Sequence, residues 1–290
     1  MHSATIRVPG TTANLGPGYD CLGVALGLYN EVTVSRHSGT PIDPHSASAH
    51  PGDAMAAEAS QIFFSNTGIT PFGFDWAISG DVPPSRGMGS SVTVRLGLLA
   101  GLNALADAPA SRDDLFTWCA SLEGHPDNAA PAAYGGFTVA GGATVARFEV
   151  SHQLHFVLLI PGFEVSTPAA RQVLPRQIDH SAAVLSCANA CRITAAFASH
   201  NYALLRGAFR DGLHQPFRHA LIPFLPEVIA AGENAGALGG FLSGSGSTIC
   251  CVTLQDAEAV AAAMSEAAGG EHRTLITKAD NTGLTLLATA

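Results

Sequence analysis

The sequence predicts an α+β protein in two domains, residues 1–155 and 156–290, with no sharp linker between them. Three observations predict it. The chain has 290 residues, 47% hydrophobic and 13% charged, which is enough apolar material for two ordinary cores and too little charge for a disordered chain. Segments of period two and segments of helical spacing are interspersed along its length. Late in the chain, strands bracket a single helix in the order of a split βαβ unit.

The elements follow in order. Ala4–Val8 and Glu31–Val34 alternate as strands. A loop rich in Pro, His and Ser runs from His37 to Gly52. Asp53–Asn66 has helical spacing and stops at Gly68. Phe72–Ser79 alternates again, and Ser90–Ala106 reads as a buried helix. Ser111–Leu122 is a helix, with Ser111 and Asp114 placed nearly as in a capping box. Phe137–Val150 and His155–Ile160 read as strands around a turn. Helices are expected over Pro168–Val173, Ala182–Ser199, Ala203–Phe209 and Phe224–Ala235. Strands Gly239–Leu242 and Thr248–Thr253, helix Ala257–Ala268, and strands Arg273–Lys278 and Gly283–Ala288 complete the second half.

Charge narrows the function classes. The chain carries 14 basic and 23 acidic side chains, a net −9, which argues against a general nucleic-acid binder. Lys278 is the only lysine, so a mechanism that needs a catalytic lysine must use it. No secretory signal opens the sequence, and the apolar stretch Val92–Ala106 is too short and polar to span a bilayer. The six cysteines form no CxxC pair and read as buried reduced thiols of a cytoplasmic protein. The histidines show no zinc-site spacing.

Chemistry gathers in a few places. Pro9-Gly-Thr-Thr-Ala-Asn-Leu-Gly-Pro-Gly-Tyr-Asp20 brings Asn14 and Asp20 onto a tight glycine-containing backbone. Pro83-Pro-Ser-Arg-Gly-Met-Gly-Ser-Ser91 precedes a helix whose unpaired N–H groups favour an anion. In it, Gly87 and Gly89 would admit a phosphate, and Ser90 and Ser91 offer hydroxyls to phosphate or Mg²⁺. The segment lacks both the lysine of a P-loop and the third glycine of a dinucleotide fingerprint. Gly239–Thr248 is a third glycine-rich loop, readable as a ligand contact or as a tight hairpin. Glu123-Gly-His-Pro-Asp-Asn128 is dense in polar groups beside apolar neighbours, which suits Mg²⁺ or a cationic ligand, or a solvated capping loop. Arg171 and Arg218 supply guanidinium groups of the kind that recognise carboxylates, although an isolated Arg is more often a surface residue.

Together these segments resemble the signature motifs of the GHMP kinases, most closely the homoserine kinases. The segment Pro9–Asp20 is similar to PxSSANLGPGFD, Arg86-Gly-Met-Gly-Ser-Ser91 to RGLGSS, and Glu123–Gly136 to EGHPDNVAPALxGG. The segments Pro161–Pro175, Asp211–Pro223 and Leu242–Ser247 match in family order. The resemblance implies a ribosomal-S5-like N-terminal domain and a ferredoxin-like C-terminal domain. It implies MgATP-dependent phosphorylation of the hydroxyl of L-homoserine, a step toward threonine. It places Pro84, Ser85, Arg86, Gly87, Met88, Gly89, Ser90 and Ser91 on the triphosphate, with Ser91 and Glu123 on Mg²⁺. It places Asn14, Asp20, His125, Asp127, Asn128, Arg171, Arg218 and Gly244 about the substrate, with Asn128, Asp20 and Arg171 nearest the chemistry. Family members are often homodimers. One departure is Ala54, which stands where the family usually carries a nucleotide-proximal Asn. Two other readings stay open: a GHMP kinase for another small alcohol, and a non-catalytic ligand-binding protein on the same fold.

Overall fold

A computed structural model describes residues 2–39, 52–142 and 144–290. The expected Pro- and His-rich loop lies mostly outside them. Two antiparallel sheets carry the architecture. The first begins with strands β1 (Ser3–Ala13) and β2 (Leu22–His37). Both run longer than the alternating segments, because pairing with each other satisfies backbone groups on either side. Helix α1 (Asp53–Thr67) ends at Gly68 in the left-handed conformation, as a C-terminal glycine should. Strand β3 (Gly73–Gly80) pairs with the distal half of β2. Helix α2 (Ser90–Leu105) is buried along most of its length. Helix α3 (Arg112–Glu123) starts with the complete Ser111/Asp114 capping box. Helix α4 (Ala129–Tyr134), a single turn or so, was not evident from the sequence. Strands β4 (Phe137–Gly141) and β5 (Thr144–Phe148) form a hairpin beside the first residues of β2.

The second sheet is built from β6 (His155–Pro161) and later strands. Helices α5 (Thr167–Gln172) and α6 (His180–Ala198) follow. The expected helix Ala203–Phe209 shrinks to a 3₁₀ turn at Tyr202–Leu205. A four-residue helix, α7 (Gln215–Arg218), precedes α8 (Leu225–Asn234). Strands β7 (Gly239–Leu242) and β8 (Ile249–Thr253), helix α9 (Ala257–Ala268) and strand β9 (His272–Thr277) complete the order β7-β8-β6-β9. The last strand, β10 (Thr285–Thr289), does not join this sheet. It returns to pair with β1 and gives the first sheet the path β10-β1-β2-β4-β5. Strand period reports a pleat but not a partner, so the sequence left it with the second half.

Three cores alternate with the sheets. Helices α1 to α4 cover one face of the first sheet around Phe63, Phe74 and Phe116. A second core lies between the sheets, where Phe137 of β4 stacks on Phe197 of α6 at 4.2 Å. Helices α8 and α9 cover the outer face of the second sheet. Helix α6 is apolar enough by composition to cross a bilayer, yet Ile193, Ala196 and Phe197 are buried in the inter-sheet core. All six cysteines are free. The expectation that they are buried holds for Cys119, Cys250 and Cys251, but Cys187 and Cys191 are exposed on α6. Lys278 is also exposed, outside the cleft described next.

Candidate active site

Every residue singled out as a site residue lines one cleft of about 690 Å³. The turn after β3 leads through Pro84, Ser85 and Arg86 to the N-terminus of α2, where no side chain among the described residues caps the first N–H groups. Those groups and the helix dipole face the cleft as an anion site. The glycines do a job that the sequence did not reveal. A Cβ on Gly87 would stand 2.1 Å from the Ser243 carbonyl oxygen, and one on Gly89 would stand 2.1 Å from Thr11 Oγ1. Both have positive φ. They let the loop close against β1 and the β7–β8 turn. The Met88 side chain points into the inter-sheet core, so only its backbone serves the loop. Arg86 has structural partners as well. Its guanidinium donates to the Pro161 and Gly162 carbonyls at 3.1 and 2.9 Å and pairs with Glu164 at 3.2 Å. It fastens the loop to the turn after β6 while lining the cleft.

Helices α2 and α3 bring Ser91 and Glu123 together, with Ser91 Oγ donating to Glu123 Oε2 at 2.9 Å. A hydroxyl and a carboxylate beside an anion site are hard oxygen donors that fit Mg²⁺, which takes few protein ligands and fills its octahedron with phosphate and water. One turn further along α2, Arg95 donates to Glu123 Oε1 at 2.6 Å and to Glu58 at 2.7 Å. The sequence reading missed Arg95. The available signal was its i+4 spacing from Ser91.

The opposite end of the cleft is lined by charge. Asp127 accepts from the Asn128 N–H at 3.0 Å and pairs with His125 Nδ1. Thr11 donates to Asn128 Oδ1 at 2.6 Å and so fixes which way the amide faces. Asn14 is only 3% exposed and is already engaged: it donates to the Gly244 carbonyl and accepts from the Asp20 N–H, both at 2.9 Å. It therefore joins the first glycine-rich segment to the third rather than meeting a substrate through both its polar atoms. Asp20 forms a two-point pair with Arg171 at 2.9 and 3.1 Å, and Arg171 also donates to the Tyr19 hydroxyl at 2.8 Å.

Arg218 contrasts with Arg171. It is 2% exposed and donates to the carbonyls of Ala170 and Gly244 at 3.1 and 2.9 Å. Among the described residues no carboxylate pairs with it. Asp211 builds its position by accepting from the N–H groups of Leu213, His214 and Gln215, which starts α7. His214 and Arg218 are four residues apart and so share a helix face, where Arg218 contacts His214 Nδ1 at 3.2 Å. A guanidinium can only donate, so that Nδ1 accepts and His214 Nε2–H donates to the Gly16 carbonyl at 2.8 Å.

Burial outweighs the opposing charge of Asp211 and, with Arg218 nearby, pushes the His214 pKa down to about 4, so the ring is neutral at pH 7. Burial opposes charging His125 as well, but the hydrogen bond and charge of Asp127 outweigh it and raise that pKa. The two histidines have opposite linkage. A folded-state pKa below the unfolded value of about 6.5 means that the unfolded chain binds the proton first as pH falls. The contribution of neutral His214 is therefore present above about pH 6.5 and lost toward pH 4. The stability advantage of the native chain over His214→Gln is expected to shrink between pH 7 and 4.5 in denaturant melts. An advantage that stays level or grows would contradict the neutral assignment.

The family model described as GHMP kinases N terminal domain matches residues 50–136, and that described as GHMP kinases C terminal matches residues 193–269. The chain is 36% identical to a homoserine kinase of Clostridium beijerinckii over 98% of both chains. It is 38% identical to a homoserine kinase of Synechocystis sp. over 87% of this chain and 86% of that one. A crystal structure of homoserine kinase from Cytophaga hutchinsonii superposes with a TM-score of 0.89 at 24% identity, covering 99% of this chain and 98% of that one.

Proposed function

The chain belongs to the GHMP kinase superfamily and, within it, to the homoserine kinases, and from that premise we propose how its cleft performs the reaction. The reaction is ATP-dependent phosphorylation of the side-chain hydroxyl of L-homoserine, giving O-phospho-L-homoserine. The observation that carries the site assignment is Arg218, a buried cation with no carboxylate partner among the described residues, in the same cleft as an uncapped helix N-terminus.

Homoserine is a zwitterion, and the Asp20–Arg171 pair is its charge complement. An entering substrate opens that pair and replaces it with two of its own: ammonium on Asp20, carboxylate between Arg171 and Arg218. The number of ion pairs rises by one, because Arg218 gains an anion without giving one up. Desolvating the second pair inside the cleft is compensated by that fixed geometry. Asp127 and His125 line the ammonium side. Asn128, held by Thr11 and Asp127, presents its amide to the substrate hydroxyl and orients it.

At the other end the N–H groups of the first turn of α2 take the terminal phosphates of ATP. Ser91 and Glu123 would hold Mg²⁺, which supplies charge neutralisation at the phosphate oxygens. Asn128 cannot accept a proton as a carboxylate would. The loose transition state of phosphoryl transfer asks mainly for alignment and charge stabilisation, so no strong protein base is needed. The scheme also uses no lysine, in keeping with the exposure of Lys278.

The non-catalytic reading depended on Ala54. That residue sits at the exposed start of α1, while its neighbour Met55 lines the cleft, so the missing amide affects the rim of the nucleotide site. The six free thiols support a cytoplasmic setting. The exposed Val184 and Leu185 on α6 offer apolar surface for a homodimer of the kind common in the family. A coupled assay for ADP with L-homoserine and MgATP, with product identification, is expected to give O-phospho-L-homoserine. Phosphorylation of another alcohol far more efficiently than L-homoserine would overturn the substrate assignment.

A further inference from the structure

Arg95 is a charged side chain of the cleft that the reaction scheme leaves without a task. It projects from α2 one turn after Ser91, with 15% of its side chain exposed. One guanidinium nitrogen donates to Glu123 Oε1 at 2.6 Å, and a second donates to Glu58 Oε2 at 2.7 Å. Its Nε is buried and has no partner among the described residues. The Glu123 side chain is 9% exposed, and its other oxygen, Oε2, is the one that meets Ser91.

This division of the carboxylate is informative. A carboxylate with both oxygens free could rotate and present either to a cation. Here one oxygen is held from behind by Arg95. Glu58, 48% exposed at the rim, anchors Arg95 in turn. The orphaned Nε indicates that the guanidinium is placed for its two carboxylates and not for its own full satisfaction, since a buried N–H without a partner is costly. We propose that Arg95 is a positioning residue for the divalent cation: it fixes Glu123 so that Oε2 and the Ser91 hydroxyl face the phosphate site together, and Glu58 holds Arg95 in place.

Two electrostatic effects compete. A nearby positive charge repels the cation, whereas a fixed ligand removes the cost of ordering a carboxylate. The two carboxylates around Arg95 leave this group net negative, so repulsion is offset locally and the orienting effect prevails. Outer partners of metal ligands commonly alter metal affinity by about 10–100-fold. Lysine is a poor substitute, because a single ammonium on a flexible stem lacks the planar fork that spans two carboxylates.

The inference depends on the Ser91–Glu123 metal assignment, so the test separates the two. Mn²⁺ is used as the probe, and its binding is followed by electron paramagnetic resonance with a non-hydrolysable ATP analogue on the intact protein. Arg95→Met is expected to weaken Mn²⁺ about tenfold or more, with Arg95→Lys in between, while homoserine binding to the nucleotide-free protein is unchanged by calorimetry. Unchanged or tighter Mn²⁺ binding in Arg95→Met would overturn the proposal. Glu58→Gln, at the exposed rim, is expected to weaken Mn²⁺ severalfold and decides the question if Arg95→Met does not fold; no effect there would then overturn it. Glu123→Gln serves as the control. If Glu123→Gln leaves Mn²⁺ binding intact, the metal assignment itself fails. If it abolishes binding while Arg95→Met does not change it, only the role of Arg95 fails.

Discussion

Arg218→Met is expected to lower kcat/KM for homoserine by about 10²- to 10³-fold, with a much smaller change in the KM for ATP. The estimate follows from removing one partner of a buried, charge-assisted carboxylate contact, which costs roughly 3–4 kcal/mol. Selectivity for one substrate follows from position, because Arg218 lies with Ala170, His214 and Gly244 and not with the α2 N-terminus. The same substitution is expected to change thermal stability little, because two opposing effects nearly cancel. In the free enzyme Arg218 is a desolvated cation held by two carbonyls and an imidazole, and burial lowers its pKa. An apolar side chain of similar length removes that penalty but takes a donor away from the Ala170 and Gly244 carbonyls and from His214 Nδ1. Steady-state kinetics and a melting curve on one preparation check both halves. Equal losses for homoserine and ATP in a folded variant would count against the assignment.

Glu123→Gln is expected to reduce turnover by about 10²-fold or more and to move the Mg²⁺ dependence to higher concentration. Gln is nearly isosteric: its one carbonyl oxygen can still accept from Arg95 while its NH2 donates to the Ser91 hydroxyl, so the fold should persist. What it removes is the charge, in a side chain that is 9% exposed. An anionic oxygen at a cleft that gathers a triphosphate and a divalent cation affects both cation affinity and stabilisation of developing charge. A Mg²⁺ titration of the initial rate measures it. Turnover that matches the native enzyme across that titration would refute the metal role.

Much of the fold was legible because local rules and tertiary packing agreed. Helix α3 starts at its capping box, α1 stops at its glycine, and α9 spans Ala257–Ala268 as the apolar spacing requires. The failures share a cause. Helix α7 is too short for periodicity to register, and it exists because Asp211 collects three N–H groups. The 3₁₀ turn at Tyr202–Leu205 replaces an expected helix of ordinary composition. Strand β10 was recognised as a strand, but its partner β1 lies at the far end of the chain.

The site divides along the same line. The sequence by itself determined the inventory: which segments hold the glycines, carboxylates and arginines, and that Lys278 is the sole lysine. It did so because motif spacing constrains the local backbone and residue type constrains chemistry. Tertiary structure decided what each group is free to do. It gave Arg86 and Asn14 a part in holding loops together, left Arg218 without a carboxylate partner among the described residues and paired Arg171 with Asp20. It also set Arg95 behind Glu123. These outcomes depend on contacts between residues as far apart as Asn14 and Gly244, 230 positions in sequence. A hydrogen bond is directional and short-ranged, so a side chain's availability is settled only when folding has brought its rivals within reach.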